Sequence, residues 1–229
     1  MGAEKTVPRH PTDDFARQLR GFGPIGLLAM LVIFAGNVVV IPLSAVLVLV
    51  WAHRSGTPWQ ALGFARPASW TRVMAIGIPV GVLLKLVMKA LVMPVFGAPA
   101  VNQHYHFLTG NPAALPGMLY AVILGAGFGE ETLFRGFLFE RLGRLFGPGQ
   151  LALAATVVIT TGLFALAHYH DQGWPGVEQA AMTGLVFALL YVSTRQLWIP
   201  MVVHAAFDIT AVILIYRDWE PAIAHLFFR

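Results

Sequence analysis

The sequence predicts an all-α protein, a polytopic transmembrane helical bundle of about six spans with short interfacial helices in addition. Of the 229 residues, 57% are hydrophobic and only 11% are charged, whereas soluble domains carry about 25% charged residues. A soluble protein of this size has too little polar side chain to cover so much apolar surface. Long apolar runs and the spacing of the arginines also indicate membrane-spanning helices. We therefore expect an integral, multi-pass membrane protein.

Six segments approach the roughly 20 apolar residues that a membrane-spanning helix needs. The first, 24–51, is too long for the core of a cleaved signal peptide, and Pro42 is expected to kink it. The third begins near 112 and continues through Glu130 and Glu131 as one long helix to about 145. The remaining spans are predicted at 73–96, 151–168, 177–194 and 198–216, and residues 218–229 predict a short interfacial helix.

The connections between these spans alternate in charge. Arginines lie in 52–72, in 141–150 and in the turn between the fifth and sixth spans, while 97–112 and 169–176 carry neither Lys nor Arg. The positive-inside rule makes the arginine-bearing connections cytoplasmic, and with six spans this places the N-terminus outside. Residues 1–20 predict a polar tail or surface helix, and 21–229 a single transmembrane domain.

Charge and cysteine content exclude several functions. The net charge of +4 comes mostly from basic residues at the ends of apolar runs, where they orient helices and meet anionic lipid head groups. No basic cluster is interleaved with aromatic residues, so nucleic-acid binding is not expected. The absence of cysteine excludes disulfides, thiolate metal sites and a cysteine nucleophile.

Ionisable residues at membrane depth are functional candidates, because each costs at least ~2.5 kcal/mol to insert. Three of the predicted spans contain six such residues: Glu130, Glu131, Arg135, His168, His204 and Asp208. A lone histidine in an apolar helix is more often a packed, hydrogen-bonded residue, and a lone Glu–Arg pair more often holds helices together. The confinement of all six to three helices favours one shared site.

The spacing within each set suggests how the groups act. Glu131 and Arg135 are four apart on one helical face, with the acid first, which favours an internal ion pair. Glu130 points about 100° away and has no local partner, so it is the candidate general base. His204 and Asp208 are also four apart, so the acid can accept the imidazole N–H or both can reach one ligand.

Together the three sets resemble the motifs of the CPBP intramembrane proteases, the group that includes the CAAX prenyl endopeptidases. Their pattern, Glu-Glu-x-x-x-Arg, Phe-x-x-x-His and His-x-x-x-Asn/Asp, corresponds here to Glu130 to Arg135, Phe164 to His168 and His204 to Asp208. The resemblance covers about residues 113–216. It implies an endopeptidase of the membrane that hydrolyses a peptide bond, with a peptide or protein substrate.

The resemblance also implies a role for each residue. Glu130 and His168 would activate a water molecule, His204 and position 208 would meet the developing negative charge, and Glu131 with Arg135 would organise the site. Asp208 departs from the usual asparagine, because an ionised carboxylate cannot donate to an oxyanion; it would be protonated, orient His204 or bind a metal.

A metal is the open point of the predicted site. No cofactor is implied with certainty, since the family is described both as glutamate-dependent and as metal-dependent. Two histidines and one or two carboxylates make a reasonable zinc set. The close His-Glu-x-x-His signature is absent. The residues that would bind zinc are Glu130, His168, His204 and Asp208.

Two other functions compete with proteolysis. A non-catalytic scaffold or bacteriocin-immunity-type binding protein of the same fold would keep the architecture without the chemistry. A proton-coupled carrier would also place acids and histidines in the membrane, but its paired, interrupted repeats are not seen. The 3 Lys against 12 Arg and the short loops suggest a prokaryotic cell membrane. The oligomeric state and the substrate are not readable from the sequence.

Overall fold

The computed structural model describes residues 11–39 and 42–228, where all regular secondary structure is helical. Five of the described helices, α4 to α8 below, are long and apolar enough to cross a membrane. A sixth candidate is the pair α1 and α2, bent by 59° at its break, so the all-α, multi-pass prediction is confirmed. The helices are α1 (Pro11–Arg20), α2 (Pro24–Val39), α3 (Leu43–Ser55), α4 (Trp70–Val95), α5 (Pro112–Phe146), α6 (Gln150–Ala167), α7 (Tyr169–Thr194), α8 (Trp198–Tyr216) and α9 (Glu220–Ala224).

The predicted single span 24–51 is wrong, because α3 runs back alongside α2. One helix over 24–51 would hold its ends about 40 Å apart. Instead the Trp51 indole donates to the carbonyl of Leu19 at 3.1 Å, and Ser44 Oγ lies 3.3 Å from Asn37 Oδ1. Pro42 occupies the N-cap of α3, where its missing N–H costs no helical hydrogen bond. A uniformly apolar run does not reveal such a reversal.

The arginine-bearing connections gather at one end of the bundle. The carbonyl of Gly63 accepts from the Leu197 N–H at 2.9 Å. At the same end, Arg141 donates to the carbonyls of Arg20 and Gly21 at 2.7 and 2.8 Å. The end of α1 therefore shares this side with the arginines. The N-terminus itself, which the charge pattern predicts outside, falls in residues 1–10, which lie outside the described part.

Two glycines bring α4 and α8 into close contact. A Cβ added at Gly77 would lie 2.6 Å from Val202 Cγ1, and one at Gly81 would lie 2.3 Å from the carbonyl oxygen of Val203. Small residues four apart let helix backbones approach in this way. The two helices run parallel at this contact, so the next turn of α4, at Lys85, lies level with the turn of α8 around Phe207.

The helices that carry the candidate residues depart from ideal α geometry. The predicted long helix through Glu130 and Glu131 is present as α5, but Ala121–Glu130 and Thr132–Leu138 are wound as π-helix. Helix α7 begins earlier than the predicted 177 and is broken at Gly173, whose φ of 62° suits glycine. π-helical turns are frequent at functional sites. The predicted short helix near the C-terminus is α9.

Candidate active site

A buried ion pair lies at the centre of the bundle. Glu131 and Arg135 both have fully buried side chains, and Arg135 Nη1 donates to Glu131 Oε1 at 2.8 Å. Arg135 Nη2 donates to the main-chain carbonyl of Gly184 on α7 at 2.9 Å. The guanidinium lies 4.4 Å from the ring centre of Phe164. The predicted ion pair is therefore present, and it also ties α5 to α6 and α7.

His204 is oriented by the same acid. Its Nδ1 lies 2.8 Å from Glu131 Oε1, and its ring stacks on Phe187 at 4.5 Å. A carboxylate bound to arginine is an acceptor, so Nδ1 carries the hydrogen. The other nitrogen, Nε2, lies 3.4 Å from Asp208 Oδ2 and 3.9 Å from Glu130 Oε2. Asp208 is a close neighbour of His204, as its spacing predicts, but Glu131 makes the hydrogen bond that fixes the imidazole.

His168 follows the last residue of α6 and faces the same group. Its Nδ1 lies 2.8 Å from the main-chain carbonyl of Phe164, so Nδ1 donates and Nε2 is the free ring nitrogen. Its ring is 4.8 Å from the Phe164 ring, which in turn is 5.8 Å from His204. The three sequence motifs thus converge around Phe164.

Glu130 differs from its neighbour Glu131 in burial and in hydrogen bonding. Its side chain is 22% exposed, whereas that of Glu131 is completely buried. Within residues 11–39 and 42–228, Glu130 Oε2 has no hydrogen-bond partner. The nearest basic atom to it is His204 Nε2 at 3.9 Å, beyond hydrogen-bond distance. Glu130 is therefore a carboxylate at the site with an oxygen that the described side chains do not engage.

Tyr105 is a neighbour of the site that the sequence did not reveal. It lies in the connection between α4 and α5, half-buried, and its hydroxyl is hydrogen-bonded to the side chain of Gln172. Burial raises the pKa of Tyr105 to about 12, and the negative charges of Asp208, Asp171 and Glu130 act in the same direction. A tyrosine in a polar connection carries no signal in the sequence that points to a site inside the bundle.

A cavity of about 260 Å³ lies beside the site, at the end opposite the arginine-bearing connections. It adjoins the site through Gln172, the partner of Tyr105. Two buried lysines of α4 line it, together with residues of the 98–104 segment and the start of α7. Its principal polar lining residues are Lys85, Lys89, Asn102, Gln172, Gln179 and Glu220.

The described donors do not form a metal site. In the part of the chain that the structure covers, no group of three or more His, Asp or Glu side chains is arranged to hold a metal ion. Zinc donors lie about 2.0–2.2 Å from the ion and surround it, whereas His204 here turns Nδ1 to Glu131 and Nε2 to Asp208. The zinc set of Glu130, His168, His204 and Asp208 stays a prediction.

Comparison with known proteins finds matches in the part of the chain that contains the site. Residues 112–210 match the family model described as Rce1-like, type II CAAX prenyl endopeptidase. A curated relative, the membrane-embedded CAAX protease MroQ of Staphylococcus aureus (strain USA300), is 23% identical over 148 residues. Over this region the chain is similar to CAAX prenyl endopeptidases. The part matched by the Rce1-like model runs from the start of α5 into α8 and contains all six candidate residues.

The similarity to MroQ covers part of each protein. The aligned region is 64% of this chain and 53% of MroQ, so the chain spans about half of that relative's length. No solved structure matches the chain.

Proposed function

We propose that this chain is an intramembrane endopeptidase of the CPBP type, which hydrolyses a peptide bond with a water molecule activated by Glu130 and His168. The observation that carries the proposal is the contrast between two adjacent acids. Glu131 is completely buried and its Oε1 is fixed by Arg135 and His204, although its Oε2 has no described partner. Glu130 is 22% exposed, and its Oε2 also has no described hydrogen-bond partner. A general base must have such a free acceptor within reach of the proton that it takes.

The chemistry follows from the directions of the ring nitrogens. Glu130 takes a proton as the water oxygen attacks the peptide carbonyl carbon, and His168 Nε2 assists because its Nδ1 is held by Phe164. His204, with Nδ1–H on Glu131, carries a proton on Nε2 and donates it to the oxyanion in a hydrogen bond. Collapse of the intermediate breaks the C–N bond, and Glu130 returns its proton to the leaving amine.

Asp208 has a different part in this proposal from an asparagine at the same position. Its Oδ2 lies 3.4 Å from His204 Nε2. An ionised Asp208 cannot donate to the oxyanion, but it favours the protonated imidazole that does. Asp208 therefore acts through His204, as a positioning residue.

The proposed substrate class rests on the membrane setting and on the similarity to CAAX proteases. The site lies within membrane-spanning helices, so the scissile bond belongs to a peptide or protein at the bilayer. MroQ is described as a membrane-embedded CAAX protease of a bacterium, and we propose the same general activity in a prokaryotic cell membrane for this chain. The alternative is a non-catalytic binding protein of the same fold, and the experiment must distinguish it from a protease.

The decisive experiment is peptide cleavage by the protein purified in detergent. Glu130→Gln is expected to abolish cleavage while expression and melting temperature stay unchanged, because the amide cannot take the proton. Glu178→Gln, on α7 outside the site, is the matched control and is expected to cleave like the wild type. Undiminished cleavage by Glu130→Gln refutes the proposal. A cellular phenotype that survives alanine at Glu130, His168 and His204 together supports a binding function.

Treatment with a chelator distinguishes a glutamate-dependent mechanism from a metal-dependent one. The glutamate-dependent form predicts that cleavage is retained after treatment with EDTA and dialysis. Loss of cleavage that added zinc restores would support the metal-dependent form. In that case the zinc set predicted from the sequence would be tested by measuring zinc content in His168→Ala and His204→Ala.

A further inference from the structure

Two lysines of α4 line the same cavity but differ in their partners. Lys89 Nζ lies 2.7 Å from Glu220 Oε1 and is neutralised by it. Lys85 is equally buried, with 8% of its surface exposed, and donates only to the amide oxygen of Gln179 at 3.2 Å. Across residues 11–39 and 42–228, no carboxylate oxygen lies within 4.0 Å of Lys85 Nζ. An ammonium group has three N–H donors, so Lys85 retains donors for a further acceptor.

The packing of α4 on α8 places this ammonium next to the proposed catalytic residues. Because Gly77 and Gly81 fit against the turns of α8 before Phe207, Lys85 reaches the level of Phe207 and lies 4.7 Å from its ring centre. Asp208, the next residue, turns toward His204. The charges of Lys85 and Asp208 interact without direct contact. Lys85 therefore lies between the active site and the cavity.

We propose that Lys85 binds a carboxylate group of the peptide substrate inside this cavity. The inference rests on the proposed function and adds a recognition element to it. A buried cation is costly unless an anion meets it. The neighbouring acids are otherwise engaged: Glu220 accepts from Lys89 and from the Asn102 N–H, and the exposed Asp171 pairs with His170 at 2.7 Å.

The ammonium group of Lys85 carries one positive charge, so a ligand group with one negative charge matches it. A peptide offers a carboxylate from two sources, the C-terminus of the chain and an Asp or Glu side chain. Either would place the scissile bond at a fixed distance from the anchored group, because the cavity adjoins the site through Gln172. The peptide amide of the bound segment can also use the Gln179 side chain, which lines the cavity beside Lys85.

Binding to the Glu130→Gln protein tests the proposal without requiring turnover. Three fluorescein-labelled alanine–leucine peptides of equal length are compared by anisotropy in detergent: one with a free C-terminal carboxylate, one with a C-terminal amide, and one amidated with a single internal glutamate. At least one carboxylate-bearing peptide is expected to bind about tenfold or more tightly than the plain amide, as is typical of a charged hydrogen bond. The peptide that gains identifies the source of the carboxylate.

Variants then assign the preference to Lys85. In the Glu130→Gln background, Lys85→Met is expected to remove the preference for the carboxylate peptide, and Lys85→Arg to retain part of it. The matched control, Lys89→Met with Glu220→Gln, removes the other cavity cation together with its partner and is expected to retain the full preference. The double change avoids leaving Glu220 buried without a counter-charge.

Three outcomes overturn the inference. The first is that the three peptides bind with equal affinity or do not bind. The second is that the preference for the carboxylate peptide survives Lys85→Met. The third is that the control variant removes this preference as completely as Lys85→Met does. The first outcome is measured without any substitution at Lys85, so the inference can be refuted even if Lys85→Met folds poorly. Cleavage by Glu130→Gln would refute the proposed function and would leave the binding comparison standing.

Discussion

His204 Nδ1 and Glu131 Oε1 lie 2.8 Å apart, and Arg135 Nη1 donates to the same oxygen at the same distance. One buried carboxylate oxygen thus joins an imidazole of α8 to a guanidinium of α5. Because Nδ1 is committed to Glu131, Nε2 must face Glu130 and Asp208. The direction in which the proposed oxyanion donor points is therefore set by an ion pair on a different helix.

Removing one member of this pair is expected to destabilise the fold. Arg135→Met leaves Glu131 charged and buried without its cation, and breaking a buried pair in this way costs about 3–5 kcal/mol. The Glu131→Gln/Arg135→Met double variant removes both charges, and its loss of stability is expected to be smaller than the sum of the two single losses. Thermal melting in detergent measures all three; additive losses would contradict the coupling.

Asp208→Asn is expected to keep cleavage within about tenfold of the wild-type rate, because an asparagine amide can donate directly to the oxyanion. Asp208→Leu is expected to lower kcat by about 100-fold, since it removes the charge that supports His204 and, unlike asparagine, supplies no donor in its place. Peptide cleavage under saturating substrate distinguishes them. Equal losses in the two variants would show that the negative charge itself is required.

Gly81→Ala tests whether the contact between α4 and α8 positions His204. A Cβ at this position would lie 2.3 Å from the Val203 carbonyl oxygen, so the helices must separate. We expect a loss of about 1–3 kcal/mol in stability, as for other overpacked contacts, and a lower kcat because α8 carries His204.

The matched control for this change is Gly162→Ala. A Cβ added at Gly162 meets no described atom within 4 Å. Its melting temperature and cleavage rate are expected to equal or slightly exceed those of the wild type, because alanine favours helix. If both alanine variants behave alike, the close approach at Gly81 does not position the site.

Arg141→Met is expected to release the N-terminal helices from the bundle. The side chain donates to the carbonyls of Arg20 and Gly21, and its guanidinium lies 4.3 Å from the ring centre of Phe22. Limited proteolysis should cut near Gly21 faster in this variant, while the region 112–210 stays protected. Arg144→Met, which removes the exposed partner of Glu140 on the same helix, is the control and should leave the cleavage pattern unchanged.

The sequence predicted those features that are local in the chain. The insertion cost of each charge made Glu130, Arg135 and His204 conspicuous, and their spacing predicted the Glu131–Arg135 pair and the neighbouring positions of His204 and Asp208. The structure brings these residues together, although their catalytic roles stay predictions. The contact between Glu131 and His204 was not predictable, because it depends on how two distant helices face each other.

The sequence could not predict features that depend on packing between polar connections or within uniform apolar runs. The reversal between α2 and α3 leaves the hydropathy of 24–51 unchanged, and only the contact between Trp51 and Leu19 reveals it. Tyr105 is an ordinary residue for a connection in water, so nothing marks its contact with Gln172. Lys85 and Lys89 lie one turn apart on α4, and both are surrounded by apolar residues in the sequence. Only the position of Glu220 in the fold distinguishes Lys89, which is paired with it, from Lys85.

The bond between Arg141 and Gly21 also has a consequence for biosynthesis, since 120 residues of chain separate its two ends. A ribosome adds about 5–20 residues per second, so roughly 6–24 s pass between the appearance of Gly21 and that of Arg141. During that interval the first helices lack the side chain that anchors them. They must therefore join a core that is completed after them, and a nascent protein halted before Arg141 would expose its N-terminal segment to quality-control proteases.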